Sequence, residues 1–581
     1  MLSFQTHWWQ RFPDVFKRER QGFAASDMEV EFDETSRYGQ MAARVLYRSG
    51  VREIRLEVVY PHLYPEFKPE IFAEGEAFSI HQNPGDNRLC MTGDRSAEWY
   101  DFETAADLIM RQMPELLSDN DNQVGYRDGQ AAPISGFFNY HPFSTVIVDG
   151  AWLLPGGVFD ATVNARIVLG NNGGIEWVRG IVSQIKKPRS RMTFRKIDDR
   201  LRDAPCYPTS FHCPLLVIPK PVFICDPGEQ LKAIGTLHPG ALERHWVEFV
   251  NGPQKRKVCV VGICFKEEVA PGKTGHGYQF FVIDKTPNGE NVYRIRAQRG
   301  GVDDIGSRVP QVQGLRRKTI TLNGAGAIGS PAVLEFARNG VRQLRINDYD
   351  YFDIATSPRW ALGLPSVGGA KSLELKSFID LHYPRTEVLP FALNIGFADV
   401  NIGTEPYLQM MTDLLEGTGA IVDFSAEIGV QNFLQGVANE LEVPFIFASA
   451  TNGAAGGLVG RFMPGSHHGC WYCLQCALHA DAEDSVQHIP SPEIKDDGDV
   501  FPAGCTHPTF TGAGFDLQEV TMHAVRMTTQ ALLDDNADSL IARLGFSGKS
   551  RTPVWEEFEV IPRAECAICS GKIASKNITG T

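Results

Sequence analysis

The chain has 581 residues, 43% of them hydrophobic and 22% charged, with a formal net charge of −14. That length is too great for one core and implies two to four domains, while the acidic balance argues against nucleic acid as the main partner. No apolar run reaches the ~18 residues of a membrane span, and the opening MLSFQTHWWQRF lacks the basic-then-apolar pattern of a signal peptide.

Twelve cysteines in so long a chain do not suggest a disulfide scaffold. Several stand in C-x-x-C pairs, which points to metal or thiol chemistry in a reducing cytoplasm. In chain order, Phe4 to Arg20 is amphipathic enough for a first helix. Met41 to Tyr47 and Ile54 to Tyr60 alternate like antiparallel strands. A proline-rich strand and turn, YPHLYPEFKPEIF, leads to His81-Gln82-Asn83 and then to Cys90 in the polar loop DNRLCMTGD. Trp99 follows, and Phe102 to Leu117 places Ala105, Leu108, Ile109, Met113 and Leu116 on one helical face. A thiol that carries an acyl group must be exposed, as a polar loop makes it.

This order resembles a ubiquitin-conjugating enzyme over roughly the first 120 residues, with Gln82 where that family has proline. The resemblance implies that Cys90 carries a thioester. Asn83 would then donate an amide N–H to the oxyanion formed when an amine attacks, and His81 would hold the loop.

Residues 145 to 300 hold short apolar runs punctuated by PGG, GNNGG, KPRS, APGKTGHG and TPNGE, the pattern of a strand-rich α+β domain. The GKT triplet is not a phosphate loop, because Glu267 stands where the first glycine is needed. Cys206, Cys213, Cys225, Cys259 and Cys264 lack metal-ligand spacing. The basic run Lys186 to Arg200 is expected to be a solvated face or mobile loop. This domain is read as the link between the two catalytic parts.

The strongest signal begins at Thr319. Thr319 to Leu322 is a buried-strand run that enters Gly324-Ala-Gly326-Ala-Ile-Gly329, whose glycines let backbone N–H groups approach a phosphate. Ser330 and Pro331 suit a helix N-cap and first turn, and Gly340 suits its end. A second strand leads to Asp348 and Asp350, placed to hold a ribose. Arg359 and Lys371 follow. An NAD or FAD domain has no need of two cations there, whereas an enzyme that handles the ATP triphosphate does.

These positions resemble the adenylation domain of ubiquitin-activating enzymes and their bacterial sulfur-carrier relatives. Gly324, Gly326, Gly329, Asp348, Asp350, Arg359 and Lys371 match that family's motif, and Thr356 stands at its asparagine. Ala426 takes the place of the aspartate that binds magnesium there, leaving Asp423 and Glu427 as candidates for Mg²⁺. Cys470, Cys473, Cys566 and Cys569 form two C-x-x-C pairs, a strong signal for a structural Zn²⁺ with a closed four-thiolate shell. Cys476 is a spare sulfur, and a redox pair is the alternative. Cys505, in a Gly/Pro-rich loop with His507 two residues on, matches the family's thioester cysteine.

The expected architecture is therefore multidomain α/β and α+β. A ubiquitin-conjugating-like domain covers 1–140, a linker domain 145–300, and a Rossmann-like adenylation domain with structural zinc 301–581. The order of parts resembles the activating–conjugating fusions of CBASS anti-phage operons. That resemblance implies a cytoplasmic homodimer that uses ATP to join the C-terminus of a cGAS/DncV-like nucleotidyltransferase to lysines of target proteins. A bacterial ubiquitin-like protein as the activated partner, sulfur-carrier adenylylation, and a nucleotide-binding scaffold are the other readings.

Overall fold

The structure, a computed structural model, describes residues 6–34, 40–78, 81–83, 85–91, 99–122, 134–170, 174–197, 206–251, 254–270, 273–286, 289–397, 404–465, 467–480, 486–495, 511–566 and 568–569. The chain divides into two compact units. One comprises Met1–Ile197 with Tyr207–Gly301, the other Asp198–Cys206 with Val302–Thr581. Among the described residues no helix is long and apolar enough to cross a membrane.

The first unit opens with helices Trp8–Arg11 and Pro13–Ala25. The single helix expected over Phe4–Arg20 is broken at Phe12, because Pro13 has no N–H to continue it and instead starts a new first turn. Strands Glu29–Asp33, Ala42–Ser49, Arg52–Val59 and Glu70–Glu74 form an antiparallel meander. Val45, Tyr47, Ile54, Leu56, Val58, Ile71 and Ala73 are buried, as period-two alternation requires. Helix Ala105–Asn122 packs on Pro13–Ala25. It starts with a reciprocal cap, in which Thr104 N–H donates to Asp107 and Asp107 N–H donates to the Thr104 hydroxyl. Glu19 lies inside this core. It accepts from the Tyr60 and Tyr64 hydroxyls and from Ala105 N–H, and burial raises its carboxyl pKa.

Further along the same unit, seven strands close into a barrel. In spatial order they are Gln254–Ala270, Lys273–Thr286, Gly289–Arg299, Thr145–Val148, Ile175–Lys186, Gly157–Leu169 and Thr209–Ile218. The last pairs in parallel with the first, Leu215 opposite Gly262. Closure pairs the two ends of this ring, and the short strands Val247–Asn251 and Thr193–Lys196 lie outside it. Strand Thr193–Lys196 is added beside Ile175–Lys186, and residues 187–193 of the basic run are exposed, as a solvated face requires. Buried Arg294 donates to Gln230 and to the carbonyls of Asn139, Ile224 and Cys225, and this satisfies its charge within the fold.

The second unit is an α/β sheet. Strands Glu387–Phe391, Gln343–Asn347, Thr319–Asn323, Ala420–Asp423 and Phe445–Ala450 run parallel in that spatial order. Gly457–Phe462, Leu540–Ser547 and Thr552–Phe558 continue it antiparallel. Chain order reverses at Thr319–Asn323. The crevice at the carboxyl end of that strand is where open α/β sheets hold their ligands.

Candidate functional site

The site is built on one row of polar residues. Asn347, Asn323 and Asp423 end three adjacent parallel strands at the same register. Asn347 Nδ2 donates to Asn323 Oδ1 at 2.7 Å, and Asn323 Nδ2 donates to Asp423 Oδ1 at 2.6 Å. Ser425 Oγ donates to both Asp423 oxygens, and Leu393 N–H to Asn347 Oδ1. Asp423 is fully buried, and desolvation raises its pKa to about 6 against these hydrogen bonds.

The glycine turn follows directly. Gly324 has φ +85°, and a Cβ there would sit 2.7 Å from Ser425 N. A Cβ on Gly329 would lie 1.9 Å from the Gly324 carbonyl oxygen, so the turn closes onto the helix start only with glycine at that position. Gly326 faces open space, with nothing within 4 Å of an added Cβ. Helix Gly329–Arg338 then begins, and its free N–H groups and dipole suit an anion.

One expectation is corrected. Ser330 is not the N-cap. The helix starts at Gly329, and the Ser330 hydroxyl accepts Ala361 N–H at 3.1 Å, tying down the segment after the second strand. Asp348 is buried and accepts from Ala325 N–H at 2.7 Å and Asp350 N–H at 2.9 Å, one bond to each oxygen, so it also fixes the turn itself. Burial raises its pKa, opposed by Lys371.

Lys371 Nζ is 2.9 Å from Asp350 Oδ2, with the lysine side chain only 12% exposed and the carboxylate 59% exposed. Tyr349 joins this group. Its phenol pKa is raised first by burial, then by the charges of Asp350 and Asp348, with Glu427 adding and Lys371 opposing. Glu427 is exposed, unlike Asp423, whose oxygens are committed to Asn323 and Ser425. Ala426 between them has φ +59°. Arg359 is half-buried, which works against its charge. Beside it Trp360 stacks on Phe352 at 4.3 Å and donates to the Ala325 carbonyl at 2.7 Å. The structure thus brings Gly324, Gly326, Gly329, Asp348 and Trp360 to one turn, and Asp350 and Lys371 into one ion pair.

Asn323, Asn347, Ser425 and Trp360 were not singled out in the sequence. The signal was present for two of them, since an amide closing an otherwise apolar strand has to find a partner when buried. For Ser425 and Trp360 no local pattern carried it.

Cys470, Cys473, Cys566 and Cys569 come together with all four sulfurs within 4.8 Å of one another. Cys470 Sγ is 3.6 Å from Cys566 Sγ and 4.0 Å from Cys473 Sγ, and Cys473 Sγ is 3.7 Å from Cys569 Sγ. A Zn–S bond of about 2.3 Å gives tetrahedral edges of about 3.8 Å, so the group fits zinc. The Cys470 thiol, donating to Cys473, lowers Cys473 to about 5. Arg563 N–H points at the same sulfur, 3.4 Å away. Cys476 is outside the four-sulfur group.

In the first unit, Cys90 is exposed at the end of a short hairpin. Its N–H donates to the His81 carbonyl at 2.8 Å, and Gln82 bridges Leu89. Leu89 N–H donates to Ile71 O, which docks the hairpin on strand Glu70–Glu74. Gln82 accepts Phe78 N–H and donates to Glu76 O, giving a hydrogen-bonded brace where proline was the pattern. Asn83 is buried, and its oxygen accepts Gly85 N–H, which orients the amide and leaves the NH₂ to donate. His81 has φ +60°, with Nε2 3.5 Å from Asp119 Oδ2. Trp99 donates to the Pro65 carbonyl. Cys505 and His507 lie outside the described residues.

The ThiF family model matches residues 298–566. The uncharacterized protein y4oA of Sinorhizobium fredii (strain NBRC 101917 / NGR234) is 30% identical to this chain over 97% of it and 98% of its own length. The ATP-dependent ubiquitin transferase-like protein Cap2 of Enterobacter hormaechei subsp. hoffmannii (strain UCI 50) is 25% identical over 39% of this chain and 35% of its own. The E. coli MccB structure with ATP is 14% identical, with a TM-score of 0.33 over 46% of this chain and 71% of that one, too loose a likeness to bear on the chemistry. The second unit carries the ThiF-family adenylation fold. The chain belongs to the family of y4oA.

Four outcomes follow from these sites. Gly329→Ala should destabilise the second unit by about 1–3 kcal/mol and abolish ATP–pyrophosphate exchange. Gly326→Ala should keep the wild-type melting point, because an added Cβ meets nothing within 4 Å, and should lose exchange if the turn holds the nucleotide. Asp423 has a folded pKa above its unfolded value, so its contribution favours the folded state at low pH and is lost as pH rises from about 4 to about 6. Asp423→Asn should therefore gain stability relative to wild type across that window, read by denaturant unfolding at several pH values. Metal analysis of the purified chain should find one zinc, and Cys566→Ser should lose it and lower the unfolding midpoint by roughly 5 °C or more.

Proposed function

We propose that this chain activates the C-terminal carboxylate of a protein with ATP and passes it, through thioesters on Cys505 and then Cys90, to a lysine of a target. The observation that carries the reading is the glycine turn at the carboxyl end of Thr319–Asn323, with the Asp350–Lys371 pair beside it, in the ThiF-family domain. An exposed thiol on a braced hairpin lies elsewhere in the same chain.

The turn and the start of helix Gly329–Arg338 offer N–H groups to phosphate oxygens. Lys371 and Arg359 offset the negative charge that builds as pyrophosphate leaves. Carboxylate oxygen attacks the α-phosphorus, giving an acyl adenylate and pyrophosphate. Cys505 sulfur then attacks the acyl carbon and releases AMP. Transfer to Cys90 exchanges one thioester for another, and an amine finally displaces the Cys90 sulfur to leave an amide. Asn83 NH₂ would stabilise the oxyanion of the last step, with His81, held towards Asp119, keeping the hairpin in shape. Mg²⁺ would neutralise phosphate charge. Glu427 is an exposed carboxylate whose charge, like that of Asp350, acts on Tyr349, and it could hold the ion, whereas Asp423 could do so only by giving up Ser425. The four-cysteine group would hold Zn²⁺ as a structural element, since a closed thiolate shell leaves no open position.

We propose a cGAS/DncV-like nucleotidyltransferase as the activated protein and a homodimer as the working form, as the order of the sequence motifs implies; the similarity to Cap2, described as an ATP-dependent ubiquitin transferase-like protein, supports the class of reaction. A ubiquitin-like protein is the second reading, because Cap2 is itself described as ubiquitin transferase-like.

Incubation with ATP, Mg²⁺ and either candidate carrier, followed by non-reducing gels, tests the relay. Thioester adducts should vanish in Cys505→Ala, and in Cys90→Ala should persist on Cys505 without conjugation to targets. Adducts and conjugates that survive Cys90→Ala would remove the conjugating step and leave sulfur-carrier chemistry. Nucleotide binding with no adduct and no ATP–pyrophosphate exchange would leave only a scaffold.

A further inference from the structure

The barrel of the first unit carries a feature that adenylation does not use. Arg166 and Arg179 are register partners on adjacent strands, Arg179 pairs with Thr145 on the next, and Thr145 pairs with Arg296 on the one after. Residues in register point to the same face, so three exposed arginines stand in one row across four strands. At a strand spacing of about 4.8 Å the row is about 14 Å long.

The arginines are held by aromatic rings rather than by carboxylates. Arg166 and Arg179 both lie over Trp177, at 6.0 and 4.6 Å from its ring centroid, and Arg296 lies over Tyr140 at 5.1 Å. Among the described residues none of the three is in an ion pair. Like charges directly opposite each other in a sheet repel, so Arg166 and Arg179 are placed at a cost to the fold. Phe143 stands beside them. It is 78% exposed with φ +56°, and its carbonyl is 3.4 Å from Arg179 Nε. The local charge departs from that of the chain, since residues 134–197 contain eight Lys and Arg against three Asp and Glu in a chain of net charge −14.

We propose that this face binds an acidic, partly apolar segment of a protein partner, with Arg166, Arg179 and Arg296 taking its carboxylates and Phe143 its apolar side chains. Two arginines stacked on one indole present their N–H forks at fixed positions, which suits carboxylates spaced about 7 Å apart along an extended chain. A protein segment fits better than a nucleic acid. Repulsion from the acidic remainder of the chain grows with the charge on the ligand, and a polynucleotide carries a charge at every residue where a peptide needs only two or three. The Trp177 ring is also already stacked by two guanidinium groups and so offers less to a base.

The test uses the full chain and a fluorescein-labelled peptide of three Glu-Leu-Glu-Gly repeats, read by anisotropy. A Gln-for-Glu version and an oligothymidylate of equal net charge serve as comparisons. The acidic peptide should bind the wild type and weaken with salt, and the Gln version should bind at least about 10-fold more weakly, a difference of about 1.4 kcal/mol. Arg166→Gln with Arg179→Gln should lose about 10-fold or more of the acidic peptide's affinity while the melting point stays the same or rises, because a like-charge contact has been removed. Arg296→Gln alone should give a smaller loss and serves as the reading if the double variant fails to fold. Absence of peptide binding to the wild type, equal affinity in folded variants, or tighter binding of oligothymidylate would overturn the proposal.

Discussion

The adenylation half of this protein depends on one buried polar row. Asn347, Asn323 and Asp423 close three parallel strands at one level, and each amide both donates and accepts along the row. In a low-dielectric interior such a network is stable only when every member is paired, so a one-residue slip of any strand would strand an amide or a carboxylate. Fixing the register fixes where Thr319–Asn323 ends, and hence where the chain turns at Gly324 and restarts as a helix at Gly329.

Around that turn, polar side chains act first on the protein. Asp348 holds Ala325 N–H, Trp360 holds the Ala325 carbonyl, and Ser330 holds Ala361. The turn is therefore shaped before any phosphate arrives, which removes an ordering cost from binding. Lys371 and Asp350 are also preorganised. The lysine is drawn close by the carboxylate, 2.9 Å away.

The two halves solve different mechanical problems. The four cysteines draw the segment around Cys566 and Cys569 onto the helix that begins at Trp471, a clasp between residues nearly a hundred positions apart. The Cys90 hairpin is held by main-chain pairing to Ile71 and by the Gln82 brace, so its thiol can stay exposed while its backbone is fixed. The barrel stands apart from both in its chemistry. On one face of its strands Arg294 is buried under Gln230 and three backbone carbonyls, and the same face carries the row of three arginines, none of them ion-paired among the described residues.

Much of this was legible in the residues. The glycine turn, its flanking strands, the paired cysteines and the polar setting of Cys90 are local patterns, and local geometry fixes them: glycine permits the turn, C-x-x-C directs two sulfurs together, and alternation buries one face. What the sequence could not decide was how side chains distant along the chain share partners. Asp348 satisfies the ribose-binding spacing and serves the turn as well, because its distance from Ala325 depends on how two strands pair. The helix start moved from Ser330 to Gly329 because the Ser330 hydroxyl found Ala361 instead. The barrel joins Thr145 to Arg296, 151 residues away, and closes where Leu215 meets Gly262, pairings that no window of sequence contains. Local conformational preference is written in neighbouring residues, but the register between strands, and with it the arginine row and the Asn347–Asn323–Asp423 row, exists only once the sheets have formed.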